Sequence, residues 1–162
     1  LKILFLDIDG VMVLDIDQGI EQAIRGETSF HKPCVQALND IISRTGCEIV
    51  VSSGWRQFFD LEQMREIFQS NGIVKTPMGF TQDYRPGQEQ LPSGKELEIM
   101  RCREIMSWLG SHDVNGRFSW CAVDDMDLSM GLDNFVRCAD KSYGLSYRGT
   151  VEKVASILDG IG

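Results

Sequence analysis

Three pairs of polar residues follow apolar runs in this chain: Asp7 and Asp9 after Ile3–Leu6, Ser52 and Ser53 after Ile49–Val51, and Asp124 and Asp125 after Cys121–Val123. Side chains alternate along an extended strand, so Asp7 and Asp9 face the same way if the strand persists through them. Two carboxylates held that close repel unless a cation sits between them, which points to a hard divalent metal. A carboxylate nucleophile, a second carboxylic acid as proton donor, a hydroxyl donor and a metal-binding acid together suit phosphoryl transfer. On this reading Asp7 attacks phosphorus and forms an aspartyl-phosphate. Asp9 protonates the leaving oxygen and then activates water, work that calls for a raised pKa. Mg2+ is expected at Asp7, a backbone carbonyl of Ile8 or Asp9, and Asp124, with a serine hydroxyl on the phosphoryl oxygens.

Elements must bring these residues together. Short apolar runs rich in Ile, Leu, Val and Phe read as strands buried on both faces, the pattern of a parallel sheet. They are expected near Ile3–Leu6, Cys47–Val51, Phe118–Val123 and Phe135–Cys138, with a short candidate at Ile73–Lys75. Between them, helical spacing predicts helices from Pro33 to a stop at Gly46, from Phe58 to Phe68, from Lys95 to Leu109 and from Val151 to Leu158. Alternation of strand and helix predicts a three-layer α/β fold, and its parallel strands bring all three polar pairs to one sheet edge. Residues 11–33 read as a flap over that edge, with a short helix at Ile20–Ile24. Asp15-Ile16-Asp17-Gln18-Gly19 resembles the start of a calcium loop but fails, because Gly26 stands where the twelfth-position Glu is needed. The stretch from Gly72 to Gly94 holds three of the four prolines and is long for a connection, hence functional or mobile.

The 162 residues suit one domain, 1–162, with an ordinary 43% hydrophobic and 25% charged composition. No apolar run approaches the roughly 20 residues of a membrane span. The net charge of −8 argues against broad attraction to nucleic acid, while leaving room for a local basic cleft. Five scattered cysteines form no CxxC pair and fit a reducing, cytoplasmic setting. A start at Leu1 without a signal-like segment reads as a trimmed chain or as a domain taken from a longer protein.

Asp7-Ile8-Asp9-Gly10-Val11, Ser52 after a strand and Asp124-Asp125 after another resemble the haloacid dehalogenase (HAD) superfamily. Ser52-Ser53-Gly54-Trp55-Arg56, Arg101-Cys102-Arg103-Glu104-Ile105 with Trp108-Leu109, and Gly144-Leu145 resemble its small branch attached to nucleic-acid repair proteins. The resemblance implies a Rossmann-like core of strand order 5-4-1-2-3 with a minimal cap. It implies Asp7 as nucleophile, Asp9 as acid/base, Ser52 (or Ser53) with Gly54 on the phosphate, and Asp124 on the metal with Asp125 either behind that ligand or as an alternative to it. The family also uses a basic residue on the phosphate. Arg101 fits the pattern better than Lys95; the two lie six apart, about 240° around a helix, so one site cannot take both.

Arg56 reads either as a phosphate contact or as one half of a structural ion pair. Trp55 reads as packing beneath the serine loop. His31 and His112 read as surface residues in loops. A minimal cap favours a phosphorylated macromolecule, a protein or a polynucleotide end, and Tyr84-Arg85-Pro86 is a candidate grip on it. The alternatives are a binding domain that lost turnover, which the presence of both aspartates disfavours, and a phosphotransferase.

Overall fold

The computed structural model describes residues 1–83 and 93–160. Five parallel strands form one sheet: β1 (Lys2–Leu6), β2 (Glu48–Val51), β3 (Gly79–Phe80), β4 (Ser119–Asp124) and β5 (Phe135–Arg137), in the order β3-β2-β1-β4-β5. That is the expected order, with the first and fourth strands adjacent. The helices are α1 (Gly19–Ile24), α2 (Lys32–Thr45), α3 (Leu61–Ser70), α4 (Gly94–His112) and α5 (Thr150–Leu158), with 3-10 turns at Gly54–Gln57 and Gly144–Ser146.

Alternation along the strands sorts the core into two layers. Leu4, Leu6, Ile49, Val51, Cys121 and Val123 pack with residues of α2, α3 and α5, whereas Ile3, Phe5, Val50 and Ala122 face Cys102, Ile105, Trp108 and Leu109 of α4. On that face α4 is joined by Leu128 and Leu132 from the connection between β4 and β5. Helix α2 begins with Pro33 in its first turn and stops at Gly46 in the left-handed conformation, as its sequence predicts. All five cysteines are buried free thiols. Among the described residues no helix is long and apolar enough to cross a membrane.

Three expectations need correcting. Phe58 is 56% exposed and lies outside α3; that helix starts later, where Asp60 and Gln63 form a reciprocal capping box that outweighs the apolar spacing upstream. Ile73–Lys75 is not a strand: Ile73 is buried, and its amide closes the end of α3 on the Phe68 carbonyl at 3.0 Å. The third strand is the two-residue β3, prolonged by Met78 and Thr81 amides on the Ile49 and Val51 carbonyls at 2.8 and 3.1 Å. His112 is the last residue of α4 rather than part of a loop, and it stacks on Trp108 at 3.9 Å between centroids. His31 occupies the N-cap position of α2. Tyr84-Arg85-Pro86 lies outside the described residues.

Candidate active site

The three central strands end on one level. Leu6 pairs with Val51 on one side and Val123 on the other. The ladder continues one residue further, with Ser52 N–H on the Leu6 carbonyl at 2.8 Å and Asp7 N–H on the Val123 carbonyl at 3.1 Å. Asp7, Ser52 and Asp124 thus occupy the same rung, and they are 5%, 1% and 1% exposed.

After Asp7 the chain folds back on itself. The Ile8 carbonyl accepts from the amides of Val11, Met12 and Val13, and Gly10 N–H returns to the Val13 carbonyl at 2.8 Å. Gly10 has φ +78°, and a Cβ there would lie 2.5 Å from Oδ2 of Asp125. Glycine is required for both reasons, the backbone angle and the approach of the acid. With the Ile8 carbonyl committed, that of Asp9 is the one left of the two proposed for a metal.

The carboxylates of Asp7, Asp124 and Asp125 each place an oxygen within 4.8 Å of the others. One guanidinium faces them: Nη1 of Arg101 lies 2.6 Å from Oδ2 of Asp124 and 3.4 Å from Oδ1 of Asp7, and donates to the Ser52 carbonyl at 2.9 Å. Burial, and then the charge of Asp124, push the Asp7 carboxyl well above the usual carboxylate range, although Arg101 opposes the shift. Burial lifts Asp124 to about 6, again against Arg101. Burial acts against the charge on Arg101, but Asp7 and Asp124 outweigh it and hold the guanidinium charged. Three acids against one buried cation leave an excess of negative charge that a divalent cation would neutralise, and oxygen donors are the ligands Mg2+ takes. The residues fit such an ion.

Asp9 is half-buried and belongs to a different environment. Its Oδ1 accepts from Trp55 Nε1 at 3.0 Å. Burial raises its pKa, and the indole N–H acts in the opposite direction. Trp55 is fully buried, so it does pack as expected, but it also orients Asp9, which the sequence reading missed. The available signal was general: a buried indole N–H finds an acceptor.

The two serines have different surroundings. Ser53 Oγ accepts from the Trp55 amide at 3.2 Å and caps the 3-10 turn. Ser52 Oγ is buried with no hydrogen-bond partner among the described residues, so its donor is available to a ligand oxygen. Gly54 opens the 3-10 turn, and a side chain there would meet nothing within 4 Å.

Arg56 sits in an ion pair, one of its two alternatives. Its guanidinium pairs with Glu104, lies 3.6 Å from Asp83 and donates to Thr81 Oγ1 at 3.1 Å. Glu104, 3% exposed on α4, was missed as a partner although it follows Arg101 by three residues on the same helix face. Lys95 is exposed in the first turn of α4 and enters no ion pair among the described residues. The structure brings Arg101, and not Lys95, to the acids.

The family model described as the HAD domain in Swiss Army Knife RNA repair proteins matches residues 3–148. The chain belongs to that family. As a HAD domain it falls among phosphatases and hydrolases in general, and its sheet order and acid-bearing strand ends agree with that class. No curated protein and no solved structure matches the chain.

Proposed function

We propose that this HAD domain is a magnesium-dependent phosphomonoesterase that works through an aspartyl-phosphate on a macromolecular substrate. One observation carries the reading: a single buried guanidinium nitrogen within 3.4 Å of the Asp7 carboxylate and 2.6 Å of the Asp124 carboxylate, on one rung of a parallel sheet. Arg101 is placed to steady Asp7 and to receive phosphoryl oxygens as they arrive, with the free Ser52 hydroxyl as a further donor. An Asp7 oxygen attacks phosphorus, and the bond from phosphorus to the leaving oxygen breaks. Asp9, whose pKa burial raises and whose carboxyl Trp55 holds, gives its proton to that oxygen. It then takes a proton from water, whose oxygen attacks phosphorus and releases inorganic phosphate and the Asp7 carboxylate. Asp7, Asp124, Asp125 and the Asp9 carbonyl would hold Mg2+, which when bound offsets charge on the phosphoryl oxygens.

The flap holds one six-residue helix, α1, too little to enclose a substrate, which favours a long chain whose end alone enters the site. Because the family is described from RNA repair proteins, a terminal phosphate on a polynucleotide is the preferred substrate over a phosphoprotein. Phosphate release from 5′- and 3′-phosphorylated oligonucleotides, phosphotyrosine and phosphoserine peptides and p-nitrophenyl phosphate tests both levels. Turnover is expected to need Mg2+, to stop in EDTA and to fall at least ~10³-fold in Asp7→Asn. Activity that survives either treatment would sink the mechanism.

A further inference from the structure

The net charge of −8 is not spread evenly. Residues 137–153 carry four Lys or Arg against two Asp or Glu, a net +2, while the remaining residues carry 12 against 22, a net −10. This locally basic segment builds the wall of a groove of about 560 Å³ lined by Arg137, Lys141, Lys153, Tyr147, Thr150 and Asp140, among others. None of its three cations enters an ion pair among the described residues. The one acid, Asp140, accepts at Oδ1 from the Ser142 amide at 2.9 Å. Tyr147 is 50% exposed and Tyr143 53%, their rings meeting edge to face at 6.1 Å.

The groove adjoins the acid cluster. Arg137 lines it and also donates from Nε to the Asp125 carbonyl at 3.1 Å, while the next amide, Cys138, bonds the Asp124 carbonyl at 2.8 Å. The loop carrying Tyr143 and Tyr147 is fastened to the turn after Asp9 and to α2. The Leu145 amide bonds the Val11 carbonyl at 2.9 Å, and Cys34 Sγ lies 3.1 Å from the Tyr143 carbonyl.

We propose that this groove holds the backbone of a single-stranded polynucleotide whose terminal phosphate enters the active site. Unpaired cations along a groove match a chain of repeated phosphates, and exposed tyrosine faces give bases something to stack on. A phosphopeptide brings one phosphate and few π faces, so it would use neither feature. The inference rests on the phosphatase reading for the direction in which the strand runs, but the binding itself does not depend on turnover.

The test uses a ten-nucleotide RNA with a 5′-fluorescein and a 3′-phosphate, bound to the Asp7→Asn protein and followed by anisotropy. Adding Lys141→Ala and Lys153→Ala is expected to weaken binding at least ~10-fold and to lower the slope of log affinity against log salt by about 1.4. The Lys-to-Arg pair should restore it, and Tyr147→Ala should weaken binding about 5-fold or more. With Asp7 intact, the Lys141→Ala/Lys153→Ala protein should turn over p-nitrophenyl phosphate as the wild type does. Unchanged RNA affinity or salt slope would overturn the groove. So would a singly phosphorylated peptide that binds as tightly and loses affinity equally. Phosphate release alongside RNA binding indifferent to these residues removes the groove and leaves the phosphatase reading standing. RNA binding lost in the variants, with no phosphate released from any substrate, does the reverse.

Discussion

Two buried arginines lie on the α4 side of the sheet, and their surroundings differ in one respect. Arg56, 7% exposed at its side chain, pairs with Glu104, lies near Asp83 and donates to the Thr81 hydroxyl. Arg101, 14% exposed, contacts Asp7, Asp124 and a backbone carbonyl, in a cluster to which Asp125 adds a third acid. The first cluster sets one cation against two acids and the second one against three, so the second has more room for positive charge. Burial alone therefore does not separate a structural arginine from a functional one. The balance of charge around it does.

Exchanging the roles of the two arginines would break that comparison. Arg101→Ala is expected to lower kcat/KM on a phosphomonoester by about 10²- to 10³-fold, the scale of losing one donor to a developing oxyanion. Arg56→Ala should act on folding instead, costing about 3–5 kcal/mol in denaturant titration because Glu104 is left buried without a partner. Equal losses of turnover per folded molecule in the two variants would erase the distinction. The serines sharpen it on a smaller scale. Ser52→Ala should reduce kcat/KM with stability nearly unchanged, whereas Ser53→Ala should cost about 0.5–2 kcal/mol through the lost cap.

The smallest expected effect is one of pH. Burial raises the Glu104 carboxyl above its ordinary 4.5, more than the Arg56 charge lowers it. A carboxyl with a raised folded-state pKa binds more protons in the native chain than in the unfolded one. Its contribution to stability is then full below the unfolded value and is lost as pH rises from about 4.5 through the folded value. Glu104→Gln, less stable throughout, should show a shallower fall in Tm over that window than the wild type. Parallel curves would assign the titration to other acids.

Much of this could be read from the chain. Buried strands with polar ends announced themselves at Ile3–Leu6 and Cys121–Val123 because parallel strands need apolar residues on both faces. Arg101 was favoured over Lys95 by a family pattern, helped by the turn of a helix that separates them. Harder to see was β3, whose two residues hold no periodicity and which is placed by the strand beside it. Phe58 carried helical spacing but lay upstream of the cap that starts α3. The Trp55 bond to Asp9 and the Arg56 pair with Glu104 join residues 46 and 48 positions apart, and spacing along a chain cannot report them. The basic groove was hidden by averaging, since a total charge of −8 conceals a segment of opposite sign.

The Ile8 carbonyl, with three amides converging on it, bears on how this protein would choose among substrates. A turn closed on itself in that way has little left to rearrange when a ligand arrives, so induced fit has no purchase at the nucleophile. Hydrogen exchange at the Val11, Met12 and Val13 amides should be slow with or without ligand. Discrimination then falls to the rim, where the flap and the groove can vary while the chemistry stays fixed.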